Sequence, residues 1–260
     1  MSKDLELAIE AAKQAGKIIK DNYYKTKTIT EKGLDDFVTE TDTEAEKVIL
    51  EHLKQTGYSI LAEETGETDN QSTKKWVIDP LDGTTNFIRD IPFFAVSIAL
   101  IENDKDLILG VVYNPISDEC FYAEKNMGAY LNDRKISVQD KGDFFRRSRI
   151  IFDYNRSPKS RNDYVQAITQ IMKKDIFSAV TYGSTALELC YLAKASNEAF
   201  MSCGDKLYDY AGGLIIAKEA GAEISDWNGK PWDNSNSYIL AVNPKIREEL
   251  LNTVKGIQQF

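Results

Sequence analysis

Residues 76–87, WVIDPLDGTTNF, are the stretch from which the rest of the sequence is best interpreted. Their apolar start predicts a short buried strand, which Pro80 stops because it has no backbone N–H to pair. Gly83 allows the chain to come close to a ligand, and the two threonines after it suit the first turn of a short helix. The sequence therefore predicts a strand, a tight turn and a helix, with Asp79 and Asp82 at the turn.

The two aspartates of this turn indicate a cation site. Asp79 and Asp82 can converge on one ion, with the main-chain carbonyl of Leu81 as a third oxygen ligand. A ligand set made only of oxygens favours Mg²⁺ over zinc or copper. The N–H groups after Gly83, at the positive end of the predicted helix, can hold an anion such as phosphate. The alternative is an ordinary turn at a strand end, where Asp, Pro and Gly are common.

Two known acidic motifs do not explain this spacing. An EF-hand loop needs acids at alternate positions and a late glutamate, which this segment lacks. The haloacid-dehalogenase phosphatase signature resembles DxDGT, whereas this chain has DPLDGT, one residue longer. That difference matters because residues i and i+2 share a strand face and residues i and i+3 do not.

Three further acids are candidates, and each also has an ordinary explanation. Glu63 ends an apolar, strand-like run together with Glu64, and only one of two adjacent strand residues is expected to reach a site. Asp42 and Asp209 each stand at the start of a predicted helix. Without a metal, the glutamates would form a solvated acidic loop and the aspartates would cap helices or favour their positive ends.

The composition is that of a folded protein with an acidic surface. The 260 residues are 42% hydrophobic and 28% charged, enough for one large domain or two modest ones. Acidic residues outnumber basic ones 41 to 32, and the net charge of −9 disfavours nucleic acid and anionic membranes as partners. An anionic substrate would need a local reversal of this field, which a bound cation supplies.

The histidine content, the cysteine content and the N-terminus exclude further classes of protein. The only histidine, His52, lies in an apolar helical stretch. With one histidine the chain cannot form a zinc site that needs several histidines. The three cysteines form no CxxC pair, and their odd number argues against a disulfide framework. The N-terminus is charged at once and has no apolar run of about 18 residues, which predicts a cytoplasmic protein.

The first half of the chain combines helices with strand hairpins. Amphipathic helices are predicted over residues 5–24 and 42–55, the second with a capping box formed by Thr41 and Glu44. The stretch between them, which contains KGLDD, is predicted to be a loop. From residue 76 the strands follow as hairpins, which favours two helices packed on a mostly antiparallel sheet.

The second half alternates strands and helices, which indicates a layered α/β unit. A polar segment near residues 140–148 separates it from the first half. We therefore predict an α+β half over residues 1–145 and an α/β half over residues 146–260, which together form one compact unit with a cleft.

Six segments in order resemble the inositol monophosphatase family, within the magnesium-dependent, lithium-sensitive sugar-phosphatase superfamily. They are VTETD (38–42), AEE (62–64), WVIDPLDGTTNF (76–87), VVYNP (111–115), GAYLN (128–132) and YDYAGGLIIAKEAG (208–221). An ordered set over roughly 200 residues is far more specific than any one segment. The resemblance implies a layered α-β-α-β-α sandwich, a homodimer, and hydrolysis of a small phosphate monoester with two or three Mg²⁺ ions per site.

The resemblance also implies a role for each matching residue. The metal ligands would be Glu63, Asp79, the Leu81 carbonyl, Asp82 and Asp209. The catalytic residues would be Glu63, Asp42 and Thr84, the last two orienting the attacking water, with Lys32 nearby. The substrate would be bound by Leu81, Gly83, Thr84, Gly183, Ser184, Thr185, Ser202 and Asp209. In this mechanism two Mg²⁺ ions neutralise the phosphate, lower the pKa of a bound water and stabilise the leaving alkoxide.

Two positions bear on the substrate. The residues after Asp82 have the inositol-monophosphatase form, not the DGTK form of adenosine-bisphosphate enzymes. Ser202, seven residues before Asp209, replaces a glutamate that contacts ring hydroxyls in the inositol enzymes, which favours a related sugar phosphate. Lys206 could contact a second phosphate, as in dual-activity fructose-1,6-bisphosphatases, or be a surface lysine. A 3′(2′),5′-bisphosphate nucleotidase is a further candidate, and the intact set of acids argues against a non-catalytic scaffold.

Overall fold

The computed structural model describes residues 1–33, 36–138, 148–155, 157–234 and 236–257. The helices in these ranges are α1 Lys3–Asn22, α2 Glu40–Leu53, α3 Thr84–Ile88, α4 Pro158–Met172, α5 Thr185–Ala193, α6 Leu207–Glu219 and α7 Arg247–Val254. The strands of the first half are β1 Ile29–Gly33, β2 Asp36–Thr39, β3 Ser59–Ala62, β4 Gly66–Thr68, β5 Lys74–Asp82, β6 Ala95–Glu102, β7 Asp106–Asn114, β8 Glu119–Glu124, β9 Gly128–Leu131 and β10 Arg134–Ile136. Those of the second half are β11 Arg149–Tyr154, β12 Ser178–Val180, β13 Ala199–Cys203, β14 Glu223–Ser225 and β15 Tyr238–Val242.

Two large sheets are interleaved with three layers of helices. The first sheet has eight strands in the order β10-β9-β8-β7-β6-β5-β3-β4, antiparallel except for the β3–β5 pair. The second has five strands in the order β12-β11-β13-β15-β14. Helices α1 and α2 cover the outer face of the first sheet, α5 and α6 lie between the sheets, and α4 and α7 cover the second. The predicted α-β-α-β-α sandwich is therefore confirmed.

Helix α6 lies in the centre of the sandwich because it is apolar on nearly all sides. Its residues 210–217 are buried, between Val77 and Ala99 of the first sheet and Phe200 of the second. Gly110 of β7 faces Gly212 of α6 so closely that a Cβ atom on Gly110 would lie 2.5 Å from the Gly212 carbonyl oxygen. The helix backbone therefore rests directly on the sheet.

This contact predicts a large loss of stability for Gly110→Ala. The added methyl group would also lie 2.5 Å from Cγ2 of Ile215, and neither neighbour can move without shifting the helix. We expect the free energy of unfolding, measured by urea denaturation, to fall by about 3 kcal/mol. Gly57→Ala is the control, because its Cβ would meet nothing within 4 Å and only its φ of +70° opposes the change, at about 1 kcal/mol. Equal losses in the two variants would contradict this packing.

The bulge in β5 corrects the prediction that Pro80 ends the strand. Strand β5 continues to Asp82, and its register with β6 shifts between Asp79 and Asp82. An interrupted ladder tolerates a residue without an N–H, which is why Pro80 is accepted inside the strand. A bulge also changes the direction of the side chains beside it, so two aspartates three positions apart can face one space.

Other predictions near the N-terminal helices need correction. Helix α2 begins at Glu40, and its capping box uses Thr39 and Asp42, not Thr41 and Glu44. The predicted loop before it contains the two-stranded β1–β2 hairpin. The predicted boundary between residues 145 and 146 lies outside the described residues. None of the helices in the described ranges has both the length and the apolar character that crossing a membrane requires.

Candidate active site

The parallel pair β3–β5 brings the first two acids side by side. Ala62 of β3 pairs with Ile78 of β5. The residues that come next in the two strands, Glu63 and Asp79, therefore lie side by side. The Glu63 N–H donates to the Ile78 carbonyl oxygen at 3.1 Å, which continues the ladder by one residue. The carboxyl ends of neighbouring parallel strands form a common edge of a sheet, and the two side chains meet there.

Asp79 is the centre of a cluster of four carboxyl groups. It is buried, and its Oδ1 accepts the Leu81 N–H at 2.9 Å across the bulge. Burial raises the pKa of Asp79 well above its ordinary value, and the charges of Glu63, Asp82 and Asp209 raise it further. All four side chains that the sequence predicts as metal ligands therefore lie close enough to interact electrostatically at Asp79.

Asp82 accepts hydrogen bonds from residues in the second half of the chain. Its Oδ2 accepts the Ser184 hydroxyl at 2.5 Å and the Ala186 N–H at 2.8 Å, both at the start of α5. Burial raises the pKa of Asp82 to about 7, the two hydrogen bonds oppose this rise, and the charges of Asp153 and Glu63 add to it. Asp82 therefore lies where the two halves meet.

Asp209 lies in the first turn of α6 and approaches the other acids from the central helix layer. Its Oδ2 accepts the Lys206 N–H at 2.7 Å, so it caps the helix as well as facing the other acids. Burial of its carboxyl group raises the pKa of Asp209 well above its ordinary value, followed by the charges of Asp205 and Asp82. Both the ordinary and the metal-binding explanations of Asp209 are therefore compatible with its position.

Thr84 links the β5 turn to helix α2. Its hydroxyl lies 3.0 Å from Oδ1 of Asp42 and 2.9 Å from the Leu81 carbonyl oxygen. Burial raises the pKa of Asp42 to about 6, hydrogen bonds from Thr39 and Thr84 oppose this, and Glu63 adds to it. Because the hydroxyl has one proton, it donates to one of its two acceptors at a time.

A cavity of about 260 Å³ opens beside these residues. It is lined by Phe37, Glu63, Asp82, Gly83, Thr84, Thr85, Asn86, Asp153, Gly183 and Thr185. A larger groove of about 760 Å³ runs along α1 at the far side of the first sheet and contains none of the predicted site residues. The smaller cavity is the candidate active site because Glu63 and Asp82 line it, whereas Asp79 and Asp209 are not among its lining residues.

The loop before α5 forms the wall opposite the β5 turn. The Asn86 side-chain amide donates to the Tyr182 carbonyl oxygen at 2.7 Å and lies 3.3 Å from that of Gly183. Gly83 has a φ of +92°, and a Cβ there would lie 3.0 Å from the Gly183 carbonyl oxygen. A side chain at Gly83 would therefore be strained and would push the two walls apart.

Some predicted substrate-binding residues do not line the cavity. Ser202 is completely buried, so its side chain does not reach the cavity in this arrangement. The Ser184 hydroxyl is directed to Asp82 instead. Lys206 is exposed, with its ammonium 5.4 Å from the Tyr208 ring centre. Lys32 belongs to β1, but its side chain lies outside the described residues.

Three further acids near the cavity were not predicted from the sequence. Asp153 ends β11 on the cavity wall and accepts the Thr185 hydroxyl at 2.7 Å. Asp205 lies close enough to raise the pKa of Asp209, and Glu188 lies buried in the first turn of α5. The position of Asp153 at the end of a parallel strand was a usable signal, whereas nothing local distinguishes Glu188 from an exposed helix residue.

The donor set fits a hard divalent cation. In the arrangement described, no three histidine, cysteine, aspartate or glutamate side chains among the described residues stand ready to hold an ion. Asp79, Asp82 and Asp209 each have an oxygen bonded to a protein donor. Four mutually repelling carboxyl groups and a main-chain carbonyl are nevertheless the hard oxygen ligands that Mg²⁺ prefers, and a cation would relieve their repulsion.

Comparisons with known proteins identify similar sequences and structures. A model of the inositol monophosphatase family matches residues 1–259. The chain is 35% identical over 261 residues to inositol monophosphatase 1 of Solanum lycopersicum, which covers 96% of this chain and 94% of that protein. Its structure resembles the extragenic suppressor protein suhB of Bartonella henselae, with a TM-score of 0.92, 32% identity and coverage of 98% and 99%. It also resembles a solved inositol monophosphatase–fructose 1,6-bisphosphatase, with a TM-score of 0.81, 30% identity and coverage of 97% and 100%.

Proposed function

Because the chain belongs to the inositol monophosphatase family and is a phosphoric monoester hydrolase, we propose that it hydrolyses inositol 1-phosphate or a related sugar phosphate with Mg²⁺ as cofactor. One observation carries this proposal. The charges of Glu63, Asp82 and Asp209 add to burial in raising the pKa of Asp79, and Glu63 and Asp82 line a cavity. Such a cluster is costly unless a cation binds it.

The chain would hold the cation and the phosphate with residues of the β5 turn. We propose that the four acids and the Leu81 carbonyl are the metal ligands, once their carboxyl oxygens turn toward a common point. When bound, Mg²⁺ would neutralise phosphate charge and act as a Lewis acid. Gly83 and Thr84 line the cavity next to the acids and are the proposed contacts for the phosphate.

Thr84 and Asp42 are the proposed pair that orients the attacking water. The Thr84 hydroxyl can donate to Asp42 and accept a hydrogen bond from a water in the cavity. Asp42 is buried and held by Thr39, so this orientation is built into the start of α2. Positioning of this kind lowers the barrier without a covalent intermediate.

Fructose 1,6-bisphosphate is the second candidate substrate. The similarity to a structure described as an inositol monophosphatase–fructose 1,6-bisphosphatase supports it. Against it, Asp153 lines the cavity, and the amine of Lys206 stacks on Tyr208. A second phosphate would therefore meet a carboxylate on the cavity wall, which favours a substrate with one phosphate group.

Phosphate release from a small panel tests the function. The substrates are inositol 1-phosphate, fructose 1,6-bisphosphate and adenosine 3′,5′-bisphosphate, each with and without Mg²⁺. We expect Mg²⁺-dependent turnover with the highest kcat/KM for the inositol monophosphate. A higher value for either bisphosphate would transfer the assignment to that enzyme class, and no Mg²⁺-stimulated release from any of them would overturn the proposal.

Three further properties implied by the family are also proposed. We propose a cytoplasmic homodimer whose activity is inhibited by lithium. Light scattering of the purified chain tests the dimer, fractionation of the native cells tests the location, and phosphate release with added LiCl tests the inhibition.

A further inference from the structure

Two buried glutamates each accept two backbone N–H groups from a loop next to the acid cluster. Glu46 lies in α2 and is 1% exposed. Its Oε2 accepts the Glu64 N–H and its Oε1 accepts the Thr65 N–H, both at 2.9 Å. These are the two residues directly after Glu63, so the carboxyl group of Glu46 fixes the turn that carries Glu63.

Glu188 does the same for the loop opposite. It is completely buried in the first turn of α5, and its side chain folds back over the start of its own helix. Its Oε1 accepts both the Tyr182 N–H, at 2.5 Å, and the Gly183 N–H, at 3.0 Å. Its Oε2 has no hydrogen-bond partner among the residues that the structure describes.

The loop that Glu188 fixes leads directly to Asp82. On one side its N–H groups bind Glu188, and on the other its carbonyl oxygens accept hydrogen bonds from Asn86. The next residue, Ser184, donates its hydroxyl to Asp82. The orientation of the Asp82 carboxylate therefore depends on a loop that is clamped between two buried side chains.

We propose that Glu46 and Glu188 are positioning residues, which hold the loops on opposite sides of the cavity so that Glu63 and Asp82 present their oxygens to one divalent cation. This inference rests on the proposed function. Neither glutamate lines the cavity, so they act through the backbone of the turn at 64–65 and of the loop at 182–183. Replacement of groups that orient metal ligands typically weakens metal binding about 10- to 100-fold.

The two glutamates differ in a way that makes the proposal sharply testable. Glu188 uses one oxygen for both bonds, so Glu188→Gln keeps that acceptor and places its amide where the other oxygen had no partner. Burial raises the pKa of Glu188 well above its ordinary value, and the Asp153 charge adds to this. Glu46 uses both oxygens, so Glu46→Gln must place an amide N–H₂ against a backbone N–H.

The measurement is the Mg²⁺ concentration that half-saturates the metal-free protein in isothermal titration calorimetry, which reports binding without turnover. We expect Glu188→Gln to remain within about twofold of the wild type, whereas Glu188→Met, which has no acceptor, requires about tenfold more Mg²⁺. Glu46→Gln should raise the required Mg²⁺ concentration by about the same factor as Glu188→Met. The Mg²⁺ dependence of phosphate release should shift by the same factors.

Glu219 provides a matched control. It also accepts two backbone N–H groups from a turn, those of Asn126 at 2.9 Å and Gly128 at 3.0 Å, but this turn joins β8 to β9, away from the acids. Glu219→Met should lower the unfolding temperature without Mg²⁺ and leave the half-saturating concentration unchanged.

The possible outcomes separate this inference from the proposed function. If the wild type binds Mg²⁺ and Glu188→Met and Glu46→Gln bind it equally well, the positioning role is wrong and the proposed function stands. If Glu188→Gln weakens binding as much as Glu188→Met, charge and not loop position is responsible, which also overturns it. A wild type that shows neither Mg²⁺ binding nor phosphate release refutes the proposed function itself. Should Glu188→Met not fold, the comparison of Glu188→Gln with Glu46→Gln decides.

Discussion

Asp82→Asn lowers kcat/KM for Mg²⁺-dependent phosphate release on the order of 10³-fold, equivalent to about 4 kcal/mol of transition-state stabilisation. The amide oxygen of asparagine can still accept the Ser184 hydroxyl and the Ala186 N–H, so the local structure is kept. What disappears is the negative charge that a divalent cation needs. Phosphate release at saturating Mg²⁺ measures the effect.

The stability of the same variant makes this prediction more specific. A buried carboxyl group whose pKa is raised to about 7 opposes folding when it is charged, so metal-free Asp82→Asn should unfold at or above the wild-type temperature. Asp163→Asn is the control, because Asp163 is equally buried but binds Lys159 and Tyr238 outside the site. It should retain activity. Full activity of the Asp82→Asn variant would show that Asp82 is not part of the active site.

Removal of Mg²⁺ should abolish activity and make stability depend on pH. In the metal-free protein, burial and neighbouring carboxylates raise the pKa of Asp82 to about 7 and that of Asp205 to about 8, from an ordinary value of 3.8. At pH values between the ordinary pKa and these raised pKa values, the folded chain binds more protons than the unfolded chain. The free energy of unfolding therefore falls as the pH rises from about 4 to about 8.

Mg²⁺ binds the charged carboxylates, so its stabilising effect should grow over the same pH range. At a concentration of about 100 Kd it adds about 2.7 kcal/mol, which corresponds to a rise in unfolding temperature of about 5–10 °C. Thermal unfolding with EDTA and with Mg²⁺, at about pH 5.5 and about pH 8, measures this. A Mg²⁺ effect that is the same at both values, or a metal-free protein that is more stable at the higher pH, would contradict the acid cluster as its origin.

The sequence was a good guide where side-chain type and spacing coincide. The apolar run before Asp79 and the glycine after Asp82 indicated the strand, the turn and the short helix that the structure contains. The same reasoning assigned Pro80 to the end of the strand, because a bulge depends on the register with β6 and not on the residue itself. That bulge is also what allows the two aspartates to face one space.

The residues that support the site were much harder to predict. Glu46 and Glu188 occupy ordinary helical positions, and their importance arises from backbone N–H groups of distant loops. Ser202 shows the opposite case, since a residue matched by position to a substrate contact is completely buried in this fold. Sequence spacing identifies chemical groups, but the distance of a side chain from a cavity depends on packing between layers.

The close approach of Gly110 and Gly212 has a consequence for how a substrate enters. Strand β7 and helix α6 touch through their backbones, so the sheet that carries Asp82 and the helix that carries Asp209 form one rigid block. A hinge motion between the two halves would have to break this backbone contact. We therefore expect the motion that admits a substrate to involve small peripheral pieces such as the β1–β2 hairpin, whose Phe37 lines the cavity, and hydrogen exchange to be faster in that hairpin than in β7 or α6.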